Sequence, residues 1–124
     1  MWHKRPLIPG GLLILAVVLV SCGPATQAPA ATPLGLPPDV AEAAKQRLSE
    51  EVDVPVQGIE IVRANQVDWT DTCLDLGGPD EFCGQAITPG WRVILRAEGE
   101  EYEIHTDLGA DSVRLKEGPV AEKK

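Results

Sequence analysis

Residues 91–106 read WRVILRAEGEEYEIHT, and the alternation in this stretch decides the fold. Trp91, Val93 and Leu95 alternate with Arg92 and Arg96, while Tyr102 and Ile104 alternate with Glu101, Glu103 and His105. A period of two with one apolar set marks a strand that buries one face and leaves the other polar. Gly99 breaks the pattern between the two runs and joins them as a hairpin. The spacing predicts antiparallel strands over 91–97 and 101–106 with a charged outer face.

Working outward, a turn over 107–111 leads to a last short strand, Ser112 to Lys116, carrying Val113 and Leu115. On the other side, Ile59 to about Trp69 reads as a further strand. Ile59 and Ile61 share one parity, whereas Val62 and Ala64 take the other, which a bulge near Val62 to Asn65 reconciles. Before it, Val40, Ala41, Ala44, Leu48 and Val52 fall on one face of a 3.6-residue period. Asp39 and Glu42 have the spacing of a capping box behind a double proline, and Asp53, Pro55 and Gly58 end the helix. The expected fold is α+β: one N-terminal helix on a mainly antiparallel sheet of about four strands. A long loop, Thr70 to Gly90, separates the first two strands, and Pro89-Gly90 is read as a turn.

The first 22 residues, MWHKRPLIPGGLLILAVVLVSC, have a basic start and an apolar run, the architecture of a secretory signal. That run is well short of the roughly 20 residues needed to span a membrane. Leu19-Val20-Ser21-Cys22 resembles the bacterial lipoprotein signal, or lipobox. The resemblance implies cleavage after Ser21 and lipidation of Cys22, placing the protein at a cell or outer envelope membrane with its domain outside the cytoplasm. Residues 23–38 carry five prolines and no charge, a composition that cannot repay its ordering entropy. As an extended tether at about 3.1 Å per residue it reaches up to ~50 Å. The expected organisation is a signal over 1–21, Cys22 and linker over 22–38, a small domain over 39–117 and an unpatterned tail over 118–124.

With Cys22 assigned to lipid, Cys73 and Cys83 remain, and an even pair in an exported chain points to a disulfide. It closes a loop worth about 3 kcal/mol on the chain-entropy model. The net charge of −8 becomes more negative once Lys4 and Arg5 leave with the signal. That balance excludes phosphate-driven nucleic-acid binding. No G-x-S-x-G elbow and no phosphate-cradling glycine loop is present, so no enzyme is expected. Asp68, Asp71, Asp75, Asp80 and Glu81 gather carboxylates of the kind Ca²⁺ takes. The EF-hand spacing is absent, and neither a metal nor a cofactor is assigned.

The segment from Trp69 to Asp107 resembles a group of small, uncharacterised exported bacterial domains. They share a W-x-D…L-G…Q-x-I-x-P-G-(Y/W)-R…Y-x-(Y/I)-H-(T/S)-D pattern. It is met here by Trp69, Asp71, Leu76, Gly77, Gln85, Ile87, Pro89, Gly90, Trp91, Arg92, Leu95, Tyr102, His105 and Asp107. The order of helix and strands is loosely similar to PepSY-type modules, some of which modulate peptidases. The expected function is a non-enzymatic binding module that recognises an exported peptide or protein through the 69–91 loop. Trp69, Asp71, Gln85, Trp91 and His105 are its candidate contacts. Trp69 and Trp91 are read either as core aromatics or as an exposed recognition patch, and His105 as a solvated surface side chain. The alternatives are a structural envelope lipoprotein without a specific ligand and a peptidase-modulating domain.

Overall fold

A computed structural model describes residues 34–121, besides the isolated Gly10, Gly11 and Gly23. The signal and lipidation expectations, centred on Cys22, fall outside these residues. Among the described residues no helix is long and apolar enough to cross a membrane.

Helix α1 spans Pro38–Val52 and buries Val40, Ala41, Ala44 and Leu48, the stripe its periodicity predicts. Its start differs from the expected capping box. Pro37 is the N-cap, no side chain caps the first turn, and Pro38 is the first helical residue. Proline suits that position because the N–H it lacks would have had no partner inside the helix. Asp39 instead lies in the first turn, where a negative charge faces the positive end of the helix dipole. The helix ends where Asp53 turns left-handed.

Four antiparallel strands follow in simple sequential order: β1 (Ile59–Trp69), β2 (Thr88–Ala97), β3 (Glu100–Asp107) and β4 (Val113–Leu115). The switch in β1 parity has the expected cause, since the β1–β2 register shifts between Ile61 and Arg63, leaving Val62 as the extra residue of a bulge. Glu98 and Gly99 close the β2–β3 hairpin, both with positive φ, the two-residue geometry that matches strand twist. One sheet face carries Ile59, Trp91, Val93, Leu95, Ala97 and Ile104 against α1. β4 is short, and the chain beyond it stays on the β3 edge. The Lys116 N–H donates to the Glu103 carbonyl (2.9 Å) and the Val120 N–H to the Glu101 carbonyl (2.6 Å).

The opposite face departs from expectation. Strand pairing sets Arg92 opposite His105, Ile94 opposite Glu103 and Arg96 opposite Glu101. Alternation alone assigns this face to solvent, yet Ile94 and His105 are buried. The loop between β1 and β2 folds back across one end of it, so the domain has a helix on one face and a cross-linked loop on part of the other.

Candidate functional site

The loop over 70–87 is built from its own polar groups before it meets the sheet. Asp71 Oδ1 accepts from the backbone N–H of Cys73 (2.8 Å) and of Asp75 (3.0 Å). Asp75 Oδ1 in turn accepts from the Thr70 N–H (2.8 Å) and hydroxyl (2.6 Å). The Thr70 hydroxyl bond, with the Thr70 N–H and the charges of His105 and Arg92, outweighs desolvation and holds the Asp75 carboxyl below the usual carboxylate range. Leu74 and Asp75 both take positive φ, and the Leu74 side chain turns fully inward. Thr72 and Gly84 then exchange bonds across the ring, Thr72 N–H to the Gly84 carbonyl and Gly84 N–H to the Thr72 hydroxyl. Inside that junction Cys73 and Cys83 form the expected disulfide, with Cα atoms 5.4 Å apart.

Three sets of contacts organise the outer face where this ring meets the sheet. At the first, the Trp69 indole lies across the outer face, its N–H donating to the Thr106 carbonyl (2.9 Å). Gly90 makes room for it, because a Cβ there would come within 2.7 Å of the indole nitrogen. Pro89 and Gly90 are therefore strand residues of β2, a correction to the turn that their dipeptide suggested. The absent side chain at Gly90 serves the close approach of the Thr106 carbonyl and of the Trp69 ring.

The second set centres on His105. Its ring stacks on Trp69, with centroids 3.9 Å apart and planes 17° from parallel. Nδ1 lies 2.7 Å from the Leu74 carbonyl oxygen and Nε2 lies 2.7 Å from Glu103 Oε1. Glu103 also meets Arg92 Nε at 3.1 Å and Lys116 Nζ at 3.6 Å. Burial pushes the Glu103 carboxyl up, but the His105 hydrogen bond and the charges of Lys116, His105 and Arg92 outweigh it and hold it below the usual range. Arg92 in addition stands 5.4 Å over the Trp69 ring, a distance at which a guanidinium is attracted to the π face.

The third is Arg114, which forks onto both carboxylate oxygens of Glu81 and reaches the Leu76 carbonyl. Glu81 also accepts from the Gly78 N–H. The Arg114 bonds, with that backbone bond, draw the Glu81 carboxyl down to about 2.

The candidate contacts are sorted accordingly. Trp69 is 1% exposed and Trp91 is 8% exposed. They point to opposite faces, Trp69 under the loop and Trp91 into the helix-side core. The tryptophan recognition patch is thereby overturned, because the loop consumes one ring as a wedge and the core the other. His105, expected at the surface, is 4% exposed, because the loop covers its face, with the Leu74 carbonyl at one ring nitrogen and Glu103 of β3 at the other. Asp71 is half-buried and spends one oxygen on the loop backbone, and only Gln85 is exposed as a contact requires. Of the acidic cluster, Asp71, Asp75 and Glu81 are each drawn into separate bonds. Among the described residues one potential ligand group is found, Asp71 with Cys73 and Cys83, and its two sulfurs are joined to each other.

What sequence reasoning missed is Phe82. It is the only phenylalanine of the chain and is 94% exposed. It lies in the disulfide-closed ring, next to Glu81, and Ile87 is also exposed as the loop returns to β2. The signal was present: a lone large apolar residue among Pro, Gly, Asp and Glu has no periodic partners with which to be buried.

Residues 41–115, from the second turn of the helix to the end of β4, match a family described as a domain of unknown function, DUF8738. No curated protein and no solved structure matches the chain.

Proposed function

We propose that this chain, which belongs to the DUF8738 family of domains of unknown function, is a membrane-anchored exported binding module that engages a peptide or protein through its cross-linked loop. The observation that carries this reading is Phe82, a large apolar side chain exposed on a ring closed by Cys73–Cys83 and held by Glu81–Arg114. In the isolated chain such a residue contributes nothing to the core and leaves apolar area in water. On a partner it returns that area without the ordering cost of a mobile loop. Aromatic side chains presented in this way are favoured anchors at interfaces. The reading is non-enzymatic because His105, the one histidine of the domain, has both ring nitrogens engaged. The loose likeness to PepSY-type modules makes an exported peptidase the first partner class to test.

The full chain, solubilised in detergent, is the bait. Phe82→Ser is expected to keep the thermal midpoint within about a degree, because an exposed side chain away from packed features changes stability little. It is expected to lose capture of the partner from envelope extract by about tenfold or more, the scale of an interface hot spot. Equal capture by Phe82→Ser and the parent chain refutes recognition through the loop and leaves a structural envelope lipoprotein as the reading.

The anchor rests on Leu19-Val20-Ser21-Cys22. Stable attachment by acyl chains needs more than one of them, which a lipobox cysteine supplies on the resemblance. Cys22→Ser is expected to abolish incorporation of labelled fatty acid and to release the protein from the membrane fraction. Continued labelling of that variant excludes the lipobox.

A further inference from the structure

We infer that His105 is a proton-dependent clasp, holding the cross-linked loop on the sheet fully only when both of its ring nitrogens carry protons. The geometry is specific. Nδ1 faces the Leu74 carbonyl and Nε2 faces the Glu103 carboxylate, each at 2.7 Å. A carbonyl oxygen only accepts, and an ionised carboxylate only accepts. The imidazolium fills both bonds. A neutral ring fills one and sets a nitrogen lone pair against an oxygen at the other.

Glu103 cannot resolve the conflict by taking up the missing proton, since Arg92 and Lys116 also bind its carboxylate. Nor can the ring swing away, because it is buried and stacked on Trp69. The remaining movable partner is Leu74, and with it the loop.

The charged groups around the ring come from each element packed on it. β2 brings Arg92, bound to Glu103, and β3 brings Glu103 itself. Farther along β3 lies Asp107, whose Oδ1 accepts from the Asp111 N–H. β4 brings Arg114, the register partner of His105, already forked onto Glu81, and Lys116 follows it. The loop brings Asp71 and Asp75, both tied to loop donors, and β1 brings only the uncharged Trp69 ring. Of the two cations paired with His105 in register, Arg114 has its own carboxylate in Glu81, whereas Arg92 shares Glu103 with the ring and with Lys116.

The inference concerns docking of the loop and needs no partner, so its failure leaves the binding reading standing. The test is amide hydrogen exchange of residues 70–87 in the full chain with its disulfide intact. It is followed from about pH 5 to about pH 8 and corrected for the intrinsic pH dependence of exchange. Protection of the Leu74 to Leu76 amides is expected to fall about tenfold as pH rises, the scale of one lost charge-assisted hydrogen bond. In Glu103→Gln the carboxamide donates to the neutral ring, so Nε2 is satisfied without the second proton and the profile is expected to flatten. In His105→Gln it is expected to be flat as well. A flat profile in the parent chain overturns the clasp. So does a slope that survives in His105→Gln, or one that is unchanged in Glu103→Gln.

Discussion

Trp69→Ala is expected to cost about 3–5 kcal/mol of unfolding free energy, the range for emptying a buried aromatic site. The indole is fully enclosed, stacks on His105, donates to the Thr106 carbonyl and lies against Gly90. Removing it leaves a void between loop and sheet and frees His105 to turn. The measurement is urea unfolding followed by circular dichroism. Trp69→Phe is expected to be milder, because it keeps a ring on His105 and removes the bond to Thr106 and the pyrrole part of the indole, for about 1–3 kcal/mol. A loss below about 1 kcal/mol in Trp69→Ala, within the range of an ordinary surface change, contradicts the wedge described above.

Gly90→Ala is expected to be of similar size through the opposite defect, overpacking. A Cβ at Gly90 overlaps the Thr106 carbonyl oxygen, lies 2.9 Å from the Thr106 carbonyl carbon and crowds the Trp69 indole nitrogen at 2.7 Å. Two of those three atoms are backbone of the neighbouring strand, so no rotamer change relieves the clash. Overpacking of a well-filled site costs about 1–3 kcal/mol, and more where the backbone itself must move. We expect about 3 kcal/mol or more, with near-ultraviolet dichroism reporting the displaced indole. Gly109→Ala is the control, since the nearest atom to its Cβ is Asp111 Oδ2 at 3.7 Å. An equal effect of the two substitutions refutes the steric account.

Much of the fold could be read from residue order. α1, β2 and β3 each present one apolar set to one core, and a single buried face prints a clear period. Even the β1 bulge was visible, because an inserted residue reverses parity at Val62. The other sheet face was not legible for the same physical reason. Its cover is a loop without period, fastened by a carbonyl at Leu74 and by lone side chains. These act at sequence separations of 31, 37 and 38 residues. A backbone carbonyl leaves no trace in side-chain chemistry, so His105 among glutamates looked like surface. Pro89-Gly90 misled because the dipeptide is a turn signal, whereas here the glycine is selected by an indole arriving from β1. Asp39 and Glu42 carried a cap signature that Pro38 made unnecessary.

The candidate site divides along the same line. Residues chosen for their chemistry, Trp69, Trp91 and His105, proved to be holding the domain together. The side chain left over, Phe82, stands in water. A residue type that usually signals recognition says little until the demand of the nearest unpacked surface has been met.

One consequence follows from where the disulfide lies. Cys73 and Cys83 join the loop to itself, while His105 and Arg114 join it to the sheet. The closure of the ring therefore comes from its own residues, and its position from two side chains of the sheet. The stretch from Gly78 to Phe82 is an exchangeable cassette: provided that Arg114 still finds a carboxylate, its other side chains are open to replacement without consulting the core. The exposed side chains between Gly78 and Phe82 can thus change while the frame that carries them stays the same.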